Sequence, residues 1–160
     1  MRLRIFATLI VASLLGSGVL AADLGWAVYR DAGFGCVLDY PAGIFDPRPV
    51  PPGKPRLFSS RRGDVYFRIQ GLENPDHWSP HKIRERYVSA DIPGDLTYER
   101  TRSDFVVLSG HRGTNIFYTK IAVSSDRNSA CALEITYPRG QKRVWDRIVS
   151  RMSRSLRFVR

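Results

Sequence analysis

Cysteine, histidine, methionine and lysine are all scarce in this 160-residue chain. Only Cys36 and Cys131 are present, so once they pair no thiol remains to complete a zinc site. None stands at the cleavage site that follows Ala21, where a bacterial lipoprotein would carry its acylated cysteine. After the first 21 residues no apolar run approaches the roughly 20 residues needed to cross a bilayer as a helix. The chain has no internal repeat and no Gly-x-Ser-x-Gly nucleophile elbow. It has no tight pair of carboxylates of the kind that cleaves glycosides. Gly33-Phe-Gly-Cys is no phosphate cradle, because the third glycine, the lysine and a following helix are all missing.

The N-terminus reads as an export signal. Arg2 and Arg4 precede an apolar stretch from Ile5 to Leu15, and Val19-Leu20-Ala21 supplies small residues for a signal peptidase. A leader of residues 1–21 is expected, with cleavage after Ala21 or Ala22. A membrane anchor is the weaker reading, since the stretch is short and no basic stop-transfer cluster follows. The remaining 139 residues, 22–160, suit one domain with a substantial core. Export places the chain in the periplasm or outside a cell, most simply that of a Gram-negative bacterium.

An oxidising compartment turns an even pair of cysteines into an expected bridge. Strand alternation puts Phe34, Cys36, Leu38 and Tyr40 on one face, and Cys131, Leu133, Ile135 and Tyr137 on one face of another strand. Both cysteines thus face a core. A bridge would close a long loop, worth about 4–5 kcal/mol in the chain-entropy model. Two buried free thiols are the alternative.

Trp26 to Tyr29 is a short apolar lead-in, and Phe34 to Tyr40 is a strand stopped by Pro41. Residues 41–56 hold six of the ten prolines and predict an extended surface loop. Val65, Phe67 and Ile69 alternate as a half-buried strand. Ser79 then caps a helix that starts at Pro80, is stapled by Trp78 onto Ile83 and runs to about Ser89. Ile83, Tyr87 and Val88 would face inward, and Pro93 and Gly94 end the region. Strands follow over Leu96 to Thr101, Asp104 to Ser109, Asn115 to Val123 and Ser129 to Tyr137, with a turn at Gly110 to Thr114. Phe105 to Leu108 is apolar on both faces and predicts a central strand. Strands in a consecutive block, with helices before and after, argue for an α+β domain with a mainly antiparallel sheet.

The last segment holds most of the charge. Residues 139–160 carry eight basic residues against Asp146 alone, +7 of the chain's +10. Helical spacing gathers Trp145, Ile148, Val149, Met152 and Leu156 on one stripe. Arg143, Arg147, Arg151, Arg154 and Arg157 fall on the other. A basic amphipathic helix docked on the sheet is expected.

Several phrases carry a resemblance: Gly33-Phe-Gly-Cys-Val-Leu-Asp-Tyr-Pro, Phe105-Val-Val-Leu-Ser-Gly, Asn115-Ile-Phe-Tyr-Thr-Lys, Leu133-Glu-Ile-Thr-Tyr-Pro and Asp146-Arg-Ile-Val-Ser-Arg-Met-Ser-Arg-Ser-Leu. They resemble small exported proteins of alpha-proteobacteria, a mostly uncharacterised group whose layout looks like the Mog1/PsbP-like α/β/α sandwich. The Cys36/Cys131 pair is no fixed part of that pattern. The resemblance covers most of the chain after the leader and rests on packing residues. It implies a binding or accessory module without a shared active site, so it transfers no catalytic residue, and fold alone does not set function.

Three functional readings follow. The first is an exported, non-catalytic module of the cell envelope that binds an unnamed component or protein and needs no cofactor. The second is an anion-binding surface for lipopolysaccharide, anionic lipid or another polyanion, built by Arg143, Arg147, Arg151 and Arg154, because arginine grips phosphate and carboxylate in a bidentate fork. Against it stands a general preference for arginine, 21 against 4 lysines. Nucleic acid is disfavoured by export and by the lack of aromatics interleaved in the stripe. The third is a small hydrolase using His111, with Ser109 and Asp104 nearby, or the His77/His81 pair. Ser109 and His111 flank a predicted turn, and Ser79 and Pro80 separate His77 from the helix of His81, so no metal site is expected.

Overall fold

The computed structural model describes residues 24–89 and 94–159. The expected leader over residues 1–21, with Ala22 and Pro93, lies outside them. A seven-stranded sheet, all its pairs antiparallel, runs in the order β3-β4-β5-β9-β8-β7-β6. Its strands are β3 (Phe45–Pro47), β4 (Arg56–Ser60), β5 (Tyr66–Glu73), β6 (Asp95–Thr101), β7 (Phe105–Arg112), β8 (Asn115–Val123) and β9 (Ser129–Pro138). A second sheet of three strands, β1 (Trp26–Arg30), β2 (Cys36–Pro41) and β10 (Arg157–Phe158), has β2 in the middle. Helix α1 (Pro80–Ser89) covers one face of the large sheet; α2 (Lys142–Ser155) and the small sheet cover the other.

Alternation along the strands sorts side chains between the two faces. Toward α2 point Phe67, Ile69, Leu133, Ile135 and Tyr137, where they meet Trp145, Ile148, Val149, Met152 and Leu156 of the predicted apolar stripe. Aromatic rings fill much of this side: Phe58 stacks on Phe67 at 4.4 Å between centroids, and Phe45 meets Trp145 at 5.7 Å. Toward α1 point Val106, Leu108, Ile121, Val123, Ala130 and Ala132, a smaller aliphatic cluster closed by Ile83, Trp78 and Tyr87. Phe105 to Leu108 does form an internal strand, as its two-sided apolar pattern predicts.

The disulfide joins the two sheets. Cys36 on β2 bonds Cys131 on β9 across 5.9 Å between α-carbons, closing a separation of 95 residues. Beside it Phe34 lies over Gly71; a β-carbon at residue 71 would come within 2.4 Å of that ring.

Helix α1 begins as its punctuation predicts. Ser79 Oγ accepts from Lys82 N at 3.3 Å. Asn74 organises the approach: its Oδ1 accepts from Trp78 N, and its Nδ2 donates to Trp78 O and Arg127 O. Val88 is exposed rather than inward.

Three further expectations need correction. Residues 41–56 are not one loop, because β3 forms within them and β4 begins at Arg56. Phe45 is buried and pulls the chain onto the sheet, where a short edge strand tolerates proline. The basic segment 139–160 is not one helix: a 3₁₀ turn over Arg139–Gln141 precedes α2, and the chain leaves the helix at Leu156 to pair with β2. Ser155 anchors that exit by accepting from Asp39 N at 2.9 Å. Finally, β7 continues through Gly110 to Arg112, which pairs with Asn115, so the turn is only Gly113-Thr114. Gly110 lies inside the strand because β6 bulges against it; a β-carbon there would sit 1.9 Å from Asp95 O.

Candidate functional site

The sheet is wider than α2: β8 still meets the helix through Tyr118 and Lys120, and β7 and β6 lie beyond it. The α2-facing side chains of these three strands and the flank of α2 enclose a groove of about 290 Å³. Register aligns Tyr98 with Ser109 and Ser109 with Tyr118 across β6, β7 and β8. His111 follows Ser109 by two residues and therefore shares its face. Lys142, Asp146, Val149 and Ser150 of α2 form the wall, with Tyr137 beneath.

The polar groups here are held in place. Tyr137 OH donates to Asp146 Oδ1 at 3.0 Å, and Lys142 pairs with Asp146 on the same helix. Burial first, then this bond to a carboxylate, raises the Tyr137 phenol above its ordinary range. Deeper under the helix, Tyr118 OH and Ser153 Oγ lie 2.6 Å apart, and burial raises the Tyr118 phenol too. Lys120, buried on this face, donates from Nζ to Ser153 O at 2.7 Å, with its ammonium 4.7 Å from the Phe105 ring centre. A cation on a carbonyl of the last turn suits the negative end of a helix. Burial holds the Lys120 pKa below the usual lysine value, with Asp104 opposing.

The structure brings Ser109 and His111 to one groove, which the sequence reading placed at a turn. It does not bring Asp104 there: that residue is exposed at the other end of β7. The single hydroxyl proton of Ser109 goes to Phe117 O at 2.7 Å, not to the imidazole of His111. An acceptor carbonyl leaves the oxygen unactivated. His77 precedes α1 with a positive φ of 51°, so it and His81 share no helix face. Among the described residues no three of His, Cys, Asp and Glu gather in a way that could hold a metal.

Arg143, Arg147, Arg151 and Arg154 all stand exposed on the outer face of α2. The Arg151 guanidinium sits over the ring of Trp26 of β1, 3.8 Å from its centre. Arg157 does not extend this stripe; it belongs to β10 and reaches Asp39 and Ser155 O.

Tyr98, Tyr118, Tyr137, Lys142 and Asp146 were not named as site residues from sequence. One signal was there: in Asn115 to Val123, the face of Ile116 and Ala122 also carries Tyr118 and Lys120, polar groups on an otherwise apolar core face.

An antiparallel sheet with a helix on each face defines an α/β/α sandwich, and the arrangement is the Mog1/PsbP-like one. The solution structure of cyanobacterial PsbP (CyanoP) from Synechocystis sp. PCC 6803 is similar with a TM-score of 0.65 at 13% identity, covering 91% of this chain and 99% of that one. The Saccharomyces cerevisiae Ran-binding protein Mog1p matches with a TM-score of 0.55 at 11% identity, over 84% of this chain and 95% of that one. A Bacteroides thetaiotaomicron crystal structure matches at 0.54 with 16% identity, covering 83% of this chain but only 48% of its own. No protein-family profile and no curated protein matches the sequence. At such identities the likeness is one of fold. Among the described residues no helix is long and apolar enough to cross a membrane.

Proposed function

We propose that this chain is an exported, non-catalytic binding module of the cell envelope that seats its partner in the groove between α2 and β6–β8. The observation that carries this reading is the groove itself. It offers tyrosine rings, an imidazole and a Lys142–Asp146 pair as fixed contacts, while the hydroxyl beside that imidazole, Ser109, spends its proton on a backbone carbonyl. Such a site orients a polar group or a side chain, and Ser109 is not activated by His111 to attack it. The fold supports the reading, since Mog1p, built on the same sandwich, is a Ran-binding protein. The disulfide suits an oxidising compartment.

The test is site-specific photo-cross-linking in the exporting cell. A cross-linker replacing Tyr98 should capture one discrete envelope partner, and His111→Ala should weaken that capture. The same cross-linker replacing Tyr66, exposed on the α1 side of β5, should not capture it. Equal capture from both positions, or substrate turnover lost in His111→Ala, would refute the module.

A further inference from the structure

The cations of the two helix surfaces are treated differently. On the α1 side Arg84 pairs with Glu99 at 2.7 Å, Lys82 with Glu85 at 3.0 Å, and Arg68 with Glu134. On the outer face of α2, among the described residues, no carboxylate pairs with Arg143, Arg147 or Arg154, and Arg151 is stacked on Trp26. The only acidic residue of α2, Asp146, is turned to the groove flank and bound by Tyr137 and Lys142. What sets the α2 face apart is that four arginines share one side of a single helix with no acid among them. Spacing of four residues also sets Arg143, Arg147 and Arg151 one above another, where like charges weaken a helix.

The shape of the face narrows its partner. Arg143 to Arg154 spans about 16 Å along a convex helix, the wrong form to wrap a strand but the right one to lie on a plane. Exposed apolar groups border it: Val144 on α2 is 62% exposed, and Val28, beside Trp26 on the outer side of β1, is 50% exposed. Arginines interspersed with valine and a tryptophan suit the boundary of an anionic bilayer, where phosphates meet guanidinium groups and the indole sits among headgroups. The apolar stripe of α2 is already buried in the core, so the helix lies against the surface and does not insert.

We infer that the outer face of α2, with Trp26 and Val28, docks the protein on a membrane surface rich in anionic phospholipid. This site is separate from the groove and does not depend on it; it rests on export, which brings the folded chain to such a surface. Each arginine near an anionic surface contributes a factor of about five in affinity. Protein recovered from the periplasm should therefore sediment with phosphatidylglycerol-containing vesicles and not with phosphatidylcholine vesicles, and added salt should release it. Arg143→Gln/Arg147→Gln, which leaves the Arg151–Trp26 stack intact, should bind about 25-fold more weakly while melting at the parental temperature. Arg147→Gln/Arg154→Gln is a second variant with the same expectation. Either folded variant binding like the parent, equal sedimentation with both vesicle types, or capture by lipopolysaccharide or heparin without vesicle binding would each overturn the proposal. A chain that never reaches the periplasm would overturn export as well, and the two failures are distinguishable.

Discussion

The two faces of the large sheet are covered by unequal means. The α1 side has a ten-residue helix over an aliphatic patch whose rim is closed by ion pairs and by Tyr87. The α2 side has a fourteen-residue helix, a second sheet, a disulfide and a run of packed aromatic rings. Outward the contrast reverses: the light side carries ion pairs, whereas the heavy side carries an arginine face without acids and an open groove. On the function proposed above, stability and recognition share one side. A rigid layer is a good base for a binding surface, because its side chains need little ordering when a partner arrives.

The largest effect expected from this asymmetry concerns the disulfide. Cys36→Ser/Cys131→Ser should lose about 4–5 kcal/mol of stability in the chain-entropy model, read by denaturant unfolding against the oxidised parent. No single exposed pair on the α1 side should approach that. Next come paired core truncations. Met152→Ala, at a site with no exposure, should cost about 2–5 kcal/mol, with Ile83→Ala at the low end of that range at the rim of the smaller cluster. If Ile83→Ala proved the more costly, the ranking of the two sides would be inverted.

Much of this layering was legible in the sequence. The Cys36 and Cys131 strands, the capped helix at Ser79 and the apolar stripe of α2 each follow from a local period or a local cap. What escaped has a tertiary origin. β10 is two residues long and exists only because β2 offers a free edge. Phe45 makes β3 by being buried, against the proline signal around it. Gly110 signals a turn by composition, yet it sits in a strand to admit the bulge of β6. The groove was half legible: Ser109 and His111 stood out by chemistry, but Tyr98 and Asp146 join them only through the offset of α2 from the sheet, which no local pattern encodes.

A smaller effect should appear at high pH. Burial lifts the Tyr87 phenol to about 12 on the α1 side and raises Tyr137 and Tyr118 on the α2 side. A raised folded pKa contributes stability that is complete below the ordinary value near 10 and is lost as pH climbs through the folded value. Unfolding free energy should thus fall from about pH 10 upward, more shallowly in Tyr87→Phe, as measured by urea titration across that window. Lys120 acts in the opposite sense, because its lowered pKa makes the folded state release its proton first. Smallest of all are the surface charges. Arg84→Gln should cost a few tenths of a kcal/mol with the loss of its exposed pair, whereas Arg147→Gln should be neutral or slightly stabilising as i,i+4 repulsion is relieved. Thermal melts of both variants compare the two helix surfaces directly.

The central claim is that recognition belongs to the α2 side. Amide hydrogen exchange of the periplasmic protein, with and without vesicles prepared from the cell envelope, tests it most directly. The account predicts slowed exchange in α2 and in strands β6 and β7 around Tyr98 and His111, with α1 unchanged. Slowed exchange confined to α1, or none anywhere, would contradict it.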